Sequence, residues 1–127
     1  MVTTGRQTRG PAQRTTVGCV NGREERLALN EAANRAINEV REPANPPTAD
    51  TAFKVVCECT EPDCDRTFEV TVAEYESVRN DPRRFMVVPD HVLLDIEDVV
   101  ERFEDFVVVL KREGPVADIV VQEDPRT

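Results

Sequence analysis

The spacing of apolar residues predicts a helix near the start of the chain. Between residues 24 and 42, apolar side chains recur every three or four positions, which is typical of an amphipathic helix. These residues are Leu29, Ala32, Ala33, Ala36, Ile37 and Val40. Because the stripe is thin and rich in alanine, we expect it to dock on the body of the protein or on a partner. Pro43 ends the helix, and residues 43–51 predict an extended linker around Pro46-Pro47.

Residues 52–122 predict a small body of short strands with one short helix. Residues 53–56 and 67–70 alternate apolar and polar side chains or are rich in β-branched residues, and we expect them to pair as antiparallel strands. Thr71 and Glu74 have the spacing of a capping box. This motif satisfies the first backbone amides of a helix, so a helix of about two turns is predicted to follow the second strand.

The second half of the body favours further strands. Residues 85–88 predict a short buried strand, and residues 98–103 and 106–112 favour a β-hairpin. A helix over residues 92–103 is the competing interpretation, because its apolar residues also fit helical spacing. Residues 116–121, after a Gly-Pro turn, predict one more strand.

The pattern therefore predicts an α+β fold, in which an N-terminal helix precedes a small antiparallel β-sheet domain with one short helix. Five segments are expected along the chain. They are a disordered basic tail (1–23), the helix (24–42), the Pro-rich linker (43–51), the α+β domain (52–122) and a C-terminal tail (123–127). We expect the chain to fray from Gln122 onwards.

The composition indicates a modest core and an acidic body. Charged residues make up 32% of the 127-residue chain and apolar residues 39%, and there is no tryptophan. The net charge is -9. Residues 1–23 hold four arginines and no acid, so the negative charge lies in the rest of the chain. The body should therefore repel phosphate backbones. No apolar run reaches the ~20 residues of a membrane span, and no secretory signal is evident. We therefore expect a cytoplasmic protein, where clustered cysteines indicate metal more than disulfide.

Three cysteines lie close together between the first two predicted strands. Cys57, Cys59 and Cys64 form the pattern C-x-C-x4-C. A turn between strands reverses the backbone and aims several thiolates at one point, and thiolates suit zinc in a tetrahedral site. The sequence therefore predicts that these three residues bind one structural Zn²⁺ and that the ion staples the β-sheet domain.

The predicted fourth ligand is His91, the only histidine of the chain. It follows Pro89-Asp90, a turn that presents the imidazole towards the cysteines. A Cys3His set would close the coordination sphere, which is typical of structural and not of catalytic zinc. A surface position for the histidine remains the alternative, with Cys19 or Asp63 as minor candidates for the fourth ligand.

Acidic residues surround the cysteines and recur later in the chain. Those beside the cysteines are Glu58, Glu61, Asp63 and Asp65. We expect them either to face solvent or to accept hydrogen bonds behind the metal ligands. The charged stretch of residues 95–105 is expected to form a solvated face.

Several stretches of the sequence fit one further pattern. They are residues 57–64, 71–79, 82–85, 89–91, 99–102, 107–109 and 123–126. Over residues 23–127 they resemble a family of small uncharacterised actinobacterial proteins with a C-x-C-x4-C and P-x-H zinc site. The resemblance implies that the three cysteines and the histidine act as one ligand set, and it implies no activity.

The expected function is that of a zinc-binding interaction or regulatory protein, and not of an enzyme. Catalytic zinc needs an open coordination position and a general acid or base nearby, and with His91 used as a ligand no histidine is left. The partner is expected to be a protein that binds through the N-terminal helix and the edge of the sheet.

Two other functions stay open at this point. A zinc knuckle that binds nucleic acid needs basic and aromatic neighbours, and in the body only Arg83 and Arg84 form a positive patch. A redox protein with a [2Fe-2S] cluster would use three cysteines and one histidine, a ligand set like that of the CDGSH iron–sulfur family. The spacing departs from that family, because too few residues separate Cys59 from Cys64 and the histidine is far away.

Overall fold

The computed structural model describes residues 22–126, so nearly all of the predicted basic tail, with Cys19, lies outside the described residues. The helices in this range are α1 (Gly22–Arg41), α2 (Val72–Arg79) and α3 (Pro115–Gln122). The strands are β1 (Ala52–Val56), β2 (Thr67–Thr71), β3 (Arg84–Val87), β4 (Glu97–Arg102) and β5 (Val107–Lys111). A single turn of 3-10 helix covers Pro89–His91. The predicted α+β class is confirmed.

Two small antiparallel sheets form the body. Strands β1 and β2 pair with each other, from Ala52 opposite Thr71 to Val56 opposite Thr67. Strand β5 lies between β3 and β4 in the second sheet. Strand β4 carries a bulge at Val100, where the register with β5 shifts. The hairpin predicted from residues 98–112 is thus confirmed, and the competing helix over residues 92–103 is wrong.

The capping box predicted for α2 is present. Glu74 donates its backbone N–H to Thr71 Oγ1 at 3.1 Å, and the Glu74 carboxylate accepts from the Thr71 amide at 2.8 Å. The end of the linker satisfies two further amides, because Thr51 and Ala49 offer their carbonyl oxygens to Val72 and to the residue after it. Helix α2 is therefore anchored on both the second strand and the linker.

The core lies where the two sheets and the helices meet. Strand β5 is its centre, because Val107, Val108 and Val109 are all buried. Phe68 of β2 stacks on Phe106, with ring centroids 4.7 Å apart, which joins the two sheets through an aromatic pair. The core is thus mainly aliphatic, with a few aromatic contacts.

Helix α1 directs most of its predicted apolar stripe away from the body, although Ala32 of that stripe is buried. Of the two expected arrangements, docking on the body or on a partner, these outward residues fit only the second. Leu29 is 42% exposed, Ile37 45% and Val40 86%. The buried residues of the helix are Ala28, Glu31, Ala32, Asn34, Arg35 and Asn38. Four of these six are polar, so helical periodicity located the helix but did not identify the face that packs on the body. The buried face is tolerated because each of its four polar side chains forms at least one hydrogen bond to the body.

A buried ion cluster joins α1 to the second sheet. Lys111, at the end of β5, donates to the carboxylates of Glu31 on α1 and Glu97 on β4. All three side chains are almost completely buried. Glu97 therefore does not belong to a solvated face, which corrects that expectation at this position. Asp95 and Asp98 on either side of it are exposed as predicted.

Residues 116–121 form helix α3 and not the predicted strand. Gly114 adopts φ +144°, a conformation that L side chains rarely adopt, and Pro115 occupies the first turn of the helix. Val116 and Val120 are buried one turn apart. Arg35 of α1 donates to the carbonyl oxygen of Val120 at 2.8 Å, which fixes α3 against α1. The β-branched composition favoured a strand, but the flanking Gly-Pro pair and the spacing of four favour the helix.

Two residues near the C-terminus form ion pairs with α1 and α2, although the chain was expected to fray from Gln122. Asp124 is buried and accepts from Arg79 of α2 at 2.6 Å. Arg126 forms ion pairs with Glu39 of α1 at 2.7 Å and with Glu76 of α2 at 2.8 Å. The last residues therefore tie α1 to α2.

Replacing Lys111 with methionine should strongly destabilise the fold. The substitution leaves two buried carboxyl groups without their cation, and breaking a buried ion pair costs about 3–5 kcal/mol. Urea unfolding of the variant measures the loss. Lys54→Met, at an exposed position of β1, is the matched control and should change the free energy of unfolding by less than about 1 kcal/mol. Equal effects for the two variants would contradict the role of the cluster.

Glu31 should make stability depend on pH. Burial raises its pKa from 4.5 to about 8, against the lowering effect of Lys111. Between these values the folded state binds more protons than the unfolded state, so the contribution of Glu31 is present below pH 4.5 and is lost as the pH rises through about 8. In Glu31→Gln, the free energy of unfolding should fall less steeply as the pH rises from 4.5 to about 8. The measurement is the difference in unfolding free energy between variant and wild type across this pH range. A constant difference would refute the assignment.

Candidate metal centre

The structure brings the four predicted ligands together. The sulfur atoms of Cys57, Cys59 and Cys64 and a ring nitrogen of His91 all lie within 4.8 Å of one another. His91 Nδ1 is 3.6 Å from Cys57 Sγ and 3.5 Å from Cys64 Sγ. For a tetrahedral zinc ion, bond lengths of ~2.3 Å to sulfur and ~2.0 Å to nitrogen place these atoms about 3.5 Å apart. The observed spacing therefore fits one metal ion coordinated by Nδ1 and the thiolates.

The elements around the cluster explain how it forms. Cys57 follows β1, and its amide donates to the carbonyl of Arg66 at 2.9 Å, so the ladder of the first sheet continues into the loop of residues 57–66. We call this loop the metal loop. His91 ends the 3-10 turn after β3, which is closed by a bond from its amide to the Val88 carbonyl at 2.9 Å. Each sheet thus contributes ligands from the end of a strand.

Glu58 connects the metal loop to β3. Its backbone amide donates to the Met86 carbonyl at 2.8 Å, and its carboxylate accepts from the Met86 amide at 3.0 Å. Glu58 is fully buried, so it accepts hydrogen bonds beside the ligands and does not face solvent. The neighbouring amide of Val88 donates to Cys57 Sγ at 3.3 Å, which stabilises negative charge on that sulfur. These bonds hold the two halves of the ligand set together.

Helix α1 supports the metal loop from behind with side-chain amides. Asn34 Nδ2 donates to the carbonyl of Cys59 at 2.9 Å and to that of Glu61 at 3.3 Å. Asn30 donates to the carbonyl of Thr60 at 2.9 Å. Three consecutive loop carbonyls are therefore satisfied by two residues one helical turn apart.

Asn38 continues this row one turn further along α1. It donates to the Val56 carbonyl at 2.9 Å and accepts from the Val56 amide at 2.8 Å, as a neighbouring strand would. It also donates to the Glu58 carboxylate at 2.8 Å. This support was not predicted from the sequence. The available signal was the spacing of four between Asn30, Asn34 and Asn38, which places all three on one face of a helix.

The pKa values of the three thiols are shifted in different directions. A hydrogen bond from Cys57 lowers the pKa of Cys59 to about 5. The same bond raises the pKa of Cys57, and burial adds to the effect. Burial also raises the pKa of Cys64. A metal ion must therefore displace protons from Cys57 and Cys64 before it can bind both sulfurs.

One side of the cluster is open to solvent. Cys57 and Cys59 are buried, whereas Cys64 and His91 are half-buried. The remaining acids of the metal loop, Glu61, Asp63 and Asp65, are exposed as expected. The cluster can therefore hold a cation near an acidic surface.

Comparison with protein-family models, with curated proteins and with solved structures finds no match. Of the resemblance noted from the sequence, the structure bears out the Cys3His cluster consistent with a metal site. The helices formed by residues 22–126 do not include one with the length and apolar character that crossing a membrane requires. The chain is therefore described by its fold and by this candidate metal centre.

Asn34→Ala should weaken metal binding while leaving the four ligands in place. The carbonyls of Cys59 and Glu61 would lose their shared donor, and substitution of residues that orient metal ligands typically costs 10–100-fold in affinity. Competition titration with a chromophoric zinc chelator measures the change. Asn45→Ala, at an exposed position of the linker, should leave the affinity within about twofold of wild type. Unchanged affinity in Asn34→Ala would show that the bonds of Asn34 do not support the site.

Proposed function

We propose that this protein binds one structural zinc ion through Cys57, Cys59, Cys64 and His91 Nδ1, and that the stapled domain acts as an interaction or regulatory module for a protein partner. The observation that carries the proposal is the convergence of the four ligand atoms within 4.8 Å. Three thiolates and one imidazole are a typical ligand set of structural zinc.

The arrangement of the ligands favours a single ion over an iron–sulfur cluster. A [2Fe-2S] cluster divides its four protein ligands between two iron atoms, so the ligand atoms fall into two separated pairs. Here His91 Nδ1 is nearly equidistant from Cys57 Sγ and Cys64 Sγ, at 3.6 and 3.5 Å. Such mutual contact is what one tetrahedral ion requires.

A structural role is favoured over a catalytic one by the number of donors. Four protein ligands complete a tetrahedron, whereas a catalytic zinc ion keeps one position for water or substrate. The body also has few aromatic residues and a short sheet on each side of the ligands. A structural zinc ion supplies roughly 10–16 kcal/mol of apparent binding energy in zinc-finger peptides. The metal would therefore stabilise a domain whose apolar core is modest.

Charge favours a protein partner over nucleic acid. The exposed residues Glu61, Asp63 and Asp65 border the metal centre, and negative charge at this position opposes a phosphate backbone. Of the two arginines that could form a basic patch, Arg83 pairs with Asp81 at 3.4 Å. Exposed apolar residues occur elsewhere, with Leu94 67% exposed. Such residues contribute to protein interfaces.

The metal assignment predicts one zinc ion per chain. Protein expressed without added metal and analysed by native mass spectrometry and elemental analysis should contain about one equivalent of zinc. His91→Ala and Cys59→Ser should lower the content or the affinity sharply, because each removes one of four ligands. Cys19→Ser is the matched control, since the proposal assigns this cysteine no bond to the metal, and it should retain full zinc content. Iron with visible absorbance, or no metal at all, would overturn the proposal.

A further inference from the structure

The outward face of α1 is apolar and carries opposite charges at its two ends. Five residues four positions apart follow one line along the helix surface. They are Glu25, Leu29, Ala33, Ile37 and Arg41, which we call the outer ridge. All five are exposed, with Val40 beside them at 86%. An ordinary surface helix has its apolar stripe on the core, so this one presents a stripe that the described part of the chain leaves uncovered.

The outer ridge is self-complementary when two copies run in opposite directions. Ala33 is its midpoint. Leu29 and Ile37 lie four positions from Ala33 on either side, and Glu25 and Arg41 lie eight positions from it. An antiparallel pairing centred on Ala33 places Leu29 opposite Ile37 of the second copy and Glu25 opposite Arg41 of the second copy. Packing of such four-residue ridges into each other is the commonest way in which helices pack. The small alanine at the crossing point allows the two backbones to approach closely.

The charges determine the direction of the pairing. In a parallel arrangement Glu25 would lie beside Glu25 of the other copy and Arg41 beside Arg41, which is repulsive. In the antiparallel arrangement both end contacts join opposite charges, and two-fold symmetry makes each contact occur twice. The opposite face of α1 is occupied by its bonds to the metal loop and the ion cluster. The outer ridge therefore lies on the side of α1 that the described residues leave open to a partner.

We propose that the outer ridge of α1 binds the outer ridge of a second copy of this chain in an antiparallel, two-fold symmetric dimer. This inference names the partner for the interaction role proposed above and rests on that role, although it needs no contact with the metal. One helix from each copy forms the contact, so the interface is at the small end of specific complexes, below about 1,200 Å². The dimer should therefore dissociate on dilution.

Sedimentation equilibrium of the full chain, over a range of micromolar concentrations, tests the proposal. Wild type should show a reversible monomer–dimer equilibrium. Glu25→Arg and Arg41→Glu should each raise the dissociation constant roughly tenfold, because each removes two attractions and introduces two repulsions. Combining the two substitutions should restore most of the affinity. Residues 25 and 41 are about 24 Å apart along one helix, so restoration requires contact between chains.

Glu104→Arg makes the same change of charge at an exposed position of the β4–β5 turn and should leave the dissociation constant unchanged. Ile37→Asp should abolish the dimer.

Circular dichroism checks that every variant stays folded, and zinc content is measured on the same samples. A monomeric wild type with one zinc ion per chain would overturn the pairing alone. A dimer without zinc would overturn the metal centre alone. Failure of the double variant to recover would overturn the antiparallel register.

Discussion

The metal loop depends on the rule that buried polar groups need partners. The carbonyls of Cys59, Thr60 and Glu61 accept hydrogen bonds from Asn30 and Asn34, which belong to a helix distant in sequence. A buried carbonyl without a donor costs about 1–3 kcal/mol. The hydrogen bonds from α1 therefore favour the loop shape that gathers the cysteines. The geometry of the candidate metal centre and the docking of α1 are coupled through these bonds.

The same rule applies to the charged side chains that are buried inside the protein, because a buried charge needs partners too. Lys111 satisfies Glu31 and Glu97, and Arg79 satisfies Asp124. Buried ion pairs add little stability compared with apolar packing of the same volume, but they disfavour arrangements in which a charge is left unpaired. In a core rich in valine, the bonds of Lys111 to Glu31 and of Arg79 to Glu39 disfavour rotated arrangements of α1, in which these groups would be left unpaired. Polar contacts thus supply the specificity that aliphatic packing alone provides weakly.

Local chemistry was predictable from the sequence, whereas the orientation of elements was not. The capping box at Thr71, the β4–β5 hairpin and the candidate ligands follow from patterns within a few residues, or from the single histidine. The inner face of α1 could not be predicted in this way, because apolar periodicity assumes that apolar residues turn inward. Asn34 is buried only because a loop 25 residues away offers its carbonyl. For residues 116–121, the β-branched composition favoured a strand, although Gly114-Pro115 is a typical helix start. The strand prediction was therefore wrong.

The long-range contacts of α1 also bear on the order in which the protein can assemble. Its buried Glu31 pairs with a lysine 80 residues later, and Arg35 bonds to a carbonyl 85 residues later. Glu39 pairs with Arg126, 87 residues away. During synthesis α1 leaves the ribosome before any of these partners exists. Contacts of such sequence separation also slow folding. The helix is thus made before the segments that hold it, and it can be fixed in place only after residues 111–126 have been synthesised.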